Sequence, residues 1–226
     1  NIMQDHYNLT QINSSREAVL ATNKLIRNTY ALLSMTLLFS AMTASFAVTS
    51  GAAPVNPFIS LAVMIGTLFA LHKSQNSVWC LPLVFFFTGF LGYTAGPIIS
   101  FYLTLSNGGE IVTTALALTG IMFLGLSSYA LISQRDFSFM RGFLLIGLLL
   151  IIVASLANIF LAIPALQLTI SAVGVLVFSG LILFDTSRMI HGGEQNYVMV
   201  TVGLYLSIYN LFMMLLHLVG AFNNSD

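Results

Sequence analysis

The chain is poor in charge. Acidic and basic side chains make up only 6% of its 226 residues, seven of each sign. A soluble domain ordinarily carries about 25% charged residues, so this chain has too few to cover a globular surface in water. The formal net charge is zero, which offers no basic surface for nucleic acid. Cysteine is nearly absent. Cys80 stands alone, so it forms no internal disulfide, and its apolar run marks it as a small core residue. The four histidines and few acids are scattered, without the spacing of a CxxC pair or an HExxH helix. No cofactor is implied by spacing. The first 27 residues are polar and hold no apolar core of the kind a cleavable signal peptide carries.

What the chain has in excess is hydrocarbon. Hydrophobic residues make up 58%, and the mean hydropathy is +0.94. The class that fits is a polytopic all-α membrane protein, with the lipid bilayer as its first partner. A span needs about 20 mostly apolar residues. Seven segments qualify: 29–50, 55–72, 78–103, 110–132, 140–162, 165–188 and 198–221. The breaks carry turn chemistry, in "SGAAPVNP", "HKSQNS", "SNGGE", "SQRDFS", Pro164 and "HGGEQN". The second segment is the shortest. The expected organisation is a polar N-terminal tail over 1–27, a seven-helix domain over 28–222 and a short C-terminal tail over 223–226.

The basic residues set an orientation. Arg16, Lys24 and Arg27 precede the first span, Lys73 lies in the second loop, Arg135 and Arg141 lie in or beside the fourth loop, and Arg188 ends the sixth span. All fall on one side of a seven-span arrangement, while the other side has Glu110 and Asp226. The rule that positive loops stay inside then predicts a cytoplasmic N-terminus and a periplasmic C-terminus. Receptors coupled to G proteins have the opposite topology. Retinal proteins need a lysine in the last span, and the only lysines are Lys24 and Lys73.

Three features stand out inside the membrane. In the third span, Gly89, Gly92 and Gly96 share a face that lets another helix approach closely, and Pro97 follows as a kink or break. Close packing is one reading; a broken helix lining a pathway is the other. In the seventh span, Gly203, Ser207, Asn210, Met214 and His217 fall at steps of four, three, four and three, a single narrow stripe. Small and polar residues there face protein rather than lipid, and Asn210 and His217 become candidates to line a polar cavity. The third feature is Asp185, the only acid well inside a proposed span. An aspartate at a helix centre costs roughly 2.5–3.5 kcal/mol on insertion scales, and less near the helix end. Arg188, three residues on, could form an ion pair with it; Lys73 is the alternative basic partner. Intramembrane ionisable groups are functional candidates, which makes Asp185 a candidate proton switch or cation site. No enzyme is predicted. A membrane aspartyl protease needs two carboxylates at depth, and Ser207 and His217 lie about 15 Å apart along one helix, too far for a dyad.

Three stretches carry a family resemblance: "FFFTGFLGYTAGP" at 85–97, "ILFDTSRMIHGGEQNY" at 182–197 and "LYLSIYNLF" at 204–212. They resemble the Bax inhibitor family. "KLIRNTYALLSMTL" at 24–37 and "LANIFLAIPALQLTISAV" at 156–173 are similar to its proteobacterial YccA-like branch. The resemblance implies six helices around a central seventh. In calcium-leak members, an aspartate on the sixth helix and one on the seventh form a pH-responsive latch. The first maps to Asp185 and the second to Ser207, so half of that latch is present here. A carboxylate with a serine lacks the repulsion that makes two carboxylates share a proton, and a lone carboxylate is a poor calcium site. The YccA-like branch further implies association with the FtsH protease, as modulator and as substrate. The tail over 1–27 is the segment that a protease on the cytoplasmic side could grip.

Overall fold

The computed structural model describes residues 2–223, with side chains from residue 18 onward. Seven α-helices account for almost all of it: α1 (Ile2–Thr49), α2 (Pro57–Lys73), α3 (Cys80–Leu103), α4 (Gly108–Ser133), α5 (Arg141–Leu161), α6 (Pro164–Ile190) and α7 (Tyr197–Asn223). A short 3-10 turn, Ser138–Met140, leads into α5. Every turn-rich break falls between two helices. Six helices are long and apolar enough to cross a membrane; α2, at 17 residues, is shorter.

Two boundaries differ from expectation. α1 begins at Ile2, so the segment expected as a separate tail is written as helix continuous with the first span. The physical reason is the absence of any breaker: no glycine or proline occurs before Gly51. The helix then stops at Gly51, whose φ of +62° a side chain would resist. At the other terminus, most of the expected 223–226 tail lies outside the described residues. Pro97 does not break α3, which continues to Leu103.

Local chemistry sets the remaining ends. Asn56 caps α2, its Oδ1 accepting from the Phe58 amide at 2.9 Å, with Pro57 in the first turn. Asn158 accepts from the Ile163 amide at 3.0 Å and donates to Gln167, which turns α5 into α6 within two residues. Asn196 caps α7 through the amides of Val198 and Met199.

The helix α7 is the interior one. Two thirds of its apolar window is buried (67%), against 17% for α5. It packs against α1, α3, α4 and α6, while α2 packs chiefly on α3 and α5 on α6. The seventh helix is therefore central as expected, but four neighbours form its direct wall rather than six. The α1–α3 seam is the closest pairing, and the glycines of α3 make it. A Cβ built on Gly89 would lie 2.6 Å from the Phe39 ring; at Gly92 it would overlap the Ser40 carbonyl oxygen, and at Gly96 the Ala47 methyl. Close packing is thus the role these three glycines play.

Candidate functional site

The C-terminal half of α6 runs antiparallel to the N-terminal half of α7, which brings Asp185 onto α7 at Gly203. A Cβ built on Gly203 would lie 3.0 Å from Asp185 Oδ2. Only glycine leaves room for the carboxylate to rest against the helix backbone. Among the described residues no hydrogen bond to Asp185 is formed. The charged groups that act on it are Arg188 and Glu194.

Ser207 is buried, 3% exposed, and lies one turn along α7 from Gly203. No hydrogen bond joins it to Asp185 among the described residues. Nor does Arg188 pair with Asp185. Its guanidinium lies 3.6 Å from Glu194, donates to the Gly193 carbonyl at 3.1 Å and stacks over Phe184. The i,i+3 pair suggested by spacing loses to the partner that the turn after α6 supplies. Lys73 makes no ion pair among the described residues.

Hydroxyl groups link the helices toward this end of α6 and α7. Thr186 and Ser127 bond at 3.2 Å, and Ser127 also bonds the Tyr30 hydroxyl, linking α6, α4 and α1. Thr201 donates to the Tyr197 carbonyl at 2.7 Å and to the Thr29 carbonyl at 3.3 Å. The Thr29 hydroxyl itself is buried without a partner. Just beyond, Ser187 accepts from the Phe137 amide at 3.1 Å and donates to the Arg135 carbonyl at 3.0 Å. His191 bonds the Ser187 carbonyl through Nδ1 at 3.0 Å. Asp136 accepts from both the hydroxyl and the amide of Ser138, which hold its carboxyl below the usual carboxylate range, with His191 adding to the effect. The Asn196 amide donates to the Gln75 carbonyl at 3.0 Å. Three connections are thus pinned to this end of the bundle.

A cavity lies elsewhere, away from Asp185. It holds about 550 Å³ between α1, α3, α4 and α7, and its lining is almost wholly apolar. Asn210 and His217 do not line it. Each bonds back to its own helix, Asn210 to the Leu206 carbonyl at 2.8 Å and His217 to the Met213 carbonyl at 3.0 Å. The His217 ring packs against Tyr102. The residues that sequence reasoning missed are on the other face of α7. Tyr205 donates to the Thr88 carbonyl at 3.1 Å and bonds Ser40 at 2.6 Å, tying α7 to α3 and α1. The tyrosine was visible in the motif at 204–212, but its partners are 117 and 165 residues away.

The profile of the family described as "Inhibitor of apoptosis-promoting Bax1" matches residues 22–224. An uncharacterized membrane protein of Vibrio cholerae is 47% identical over 218 residues, covering 94% of this chain and 96% of the relative. The Escherichia coli K12 protein named modulator of FtsH protease YccA is 44% identical over 205 residues, 91% of this chain and 93% of the relative. Its counterpart in E. coli O6:H1, with the same identity and coverage, is named inner membrane protein YccA. The chain belongs to the Bax inhibitor family.

Proposed function

We propose that this member of the Bax inhibitor family is a multi-pass inner-membrane protein that binds an FtsH-type membrane protease and restrains it, and is itself a substrate. The observation that carries the reading is the 44% identity, over nearly the whole length of both chains, to a protein named as an FtsH modulator. The placement of charge supports it. All seven basic residues gather toward one end of the bundle, which the positive-inside rule assigns to the cytoplasm. The same end carries the extension of α1. At about 1.5 Å per residue a 48-residue helix is about 72 Å long, against a hydrocarbon core of about 30 Å. A large part of α1 therefore projects beyond the apolar layer, where a protease domain could engage it.

The test is co-purification with FtsH from membranes, for the full chain and for a form lacking residues 2–20. Retention of the full chain and loss with the shortened one are expected. Equal recovery of both would remove the arm from the account, and recovery of neither would remove FtsH.

A second reading is a cation leak controlled at Asp185, and calcium is the ion the family resemblance suggests. It is supported by a carboxylate set against Gly203 without a hydrogen bond among the described residues. In liposomes carrying the chain, Asp185→Asn should change any cation flux, and an unchanged flux would exclude Asp185 as its control group.

A further inference from the structure

We propose that the cavity between α1 and α4 is a binding groove for one acyl chain of a phospholipid, drawn from the bilayer leaflet at the C-terminal end of α1. The groove exists because α1 and α4 part company. Toward the basic end they meet through the Tyr30–Ser127 hydrogen bond and the Tyr30–Phe123 ring contact, at 6.2 Å between centroids. Beyond Phe123 they diverge, and the cavity of about 550 Å³ fills the gap. Small residues keep it open: Ala41 and Ser45 on one wall, Gly120 on the other, where an added Cβ meets nothing within 4 Å. α7 forms the floor through Ile208 and Tyr209.

Three observations identify the occupant. The opening faces sideways into lipid, since Ala41 and Ser45 are exposed and Leu116 on the opposite wall is 56% exposed. The length fits one leaflet. Lining residues on α1 run from Leu37 to Thr49, or about 18 Å along the axis, against about 15 Å for half the hydrocarbon core. The hydroxyls of Tyr205, Ser40 and Thr119 have no free hydrogen to offer a polar ligand. Tyr205 donates to Thr88, Ser40 bonds Tyr205, and Thr119 donates to the Ala115 carbonyl at 2.7 Å. An apolar cleft of this size is in the range of ligand sites, about 300–1,000 Å³, and a chain of methylenes is what the surrounding solvent supplies.

The experiment uses the full chain purified in mild detergent and given phosphatidylethanolamine, with native mass spectrometry as readout. One retained phosphatidylethanolamine per chain is expected. Gly120→Leu and Ala41→Phe, each checked for unchanged helical circular dichroism, should reduce retention about tenfold, equivalent to about 1.4 kcal/mol. A second arm needs no variant. Phosphatidylethanolamine with a diazirine in its acyl chain should label the α1 and α4 walls more heavily than the exposed face of α5 at Phe143 and Ile146. No retention, unchanged retention in the folded variants, or labelling of α5 as heavy as the groove would each overturn the proposal.

Discussion

At the end of the bundle that holds Arg135, Arg141 and Arg188, side chains tie the connections to the helices. Ser187 holds the segment after α4, Asn196 holds the turn after α2, and Arg188 closes on Glu194. At the opposite end no basic residue occurs, α1 and α4 separate, and an apolar groove takes the space where a helix contact would be. One chain therefore builds a polar, cross-linked end and an open, lipid-facing end from the same helices. The lesson lies in α1. Its contact with α3 is sealed by glycines on the partner, while its contact with α4 is prevented by the lack of anything to fill the gap.

The comparison can be broken most severely at the seam. Gly92→Leu forces a side chain into the Ser40 carbonyl, backbone that cannot step aside. A loss of about 3 kcal/mol or more is expected, at the upper end of overpacking costs, read as a collapse of the unfolding midpoint in detergent titration. Next is Ser187→Ala, which strands the buried Phe137 amide and the Arg135 carbonyl. It should cost about 1–3 kcal/mol in the same titration. Asp136 sharpens the contrast through pH. Its carboxyl is held below its ordinary range, so its contribution is present above that range and fades as pH falls through its own lowered value. Asp136→Asn should flatten the acid limb of a stability–pH curve by removing, at neutral pH, the contribution that the wild-type chain loses in acid. Smallest is Gly120→Ala in the groove wall, where the added methyl meets open space. A change within about 0.5 kcal/mol is expected, and a loss as large as that at Gly92 would show that the walls are closed.

Much of this was legible from hydropathy and turn residues alone, because lipid leaves a helix no alternative way to satisfy its backbone. The seven segments and their breaks fell where the apolar runs and "SNGGE"-type turns put them. The start of α1 was not, since polar residues without glycine or proline read equally as tail or as helix. The glycine row at 89, 92 and 96 announced a close contact but not its partner, because Phe39, Ser40 and Ala47 are joined to it only by the fold. Asp185 was identifiable from its depth in an apolar run. Its neighbour was harder to see. The family resemblance points to Ser207, whereas the contact falls to Gly203, which offers only room. Spacing suggested Arg188 as its ion partner, and Glu194 took the guanidinium because the turn after α6 folds back upon it. The groove had no sequence signal, being defined by side chains that are small.

The central claim is that the polar end and its α1 extension serve to restrain an FtsH-type protease. The most direct measurement is the half-life of an FtsH-dependent membrane substrate in cells producing graded amounts of this chain. The account predicts a half-life that lengthens with the amount of full-length chain and returns to baseline when residues 2–20 are removed from a protein that still accumulates in the membrane. A half-life unchanged at every level of the full chain would contradict it.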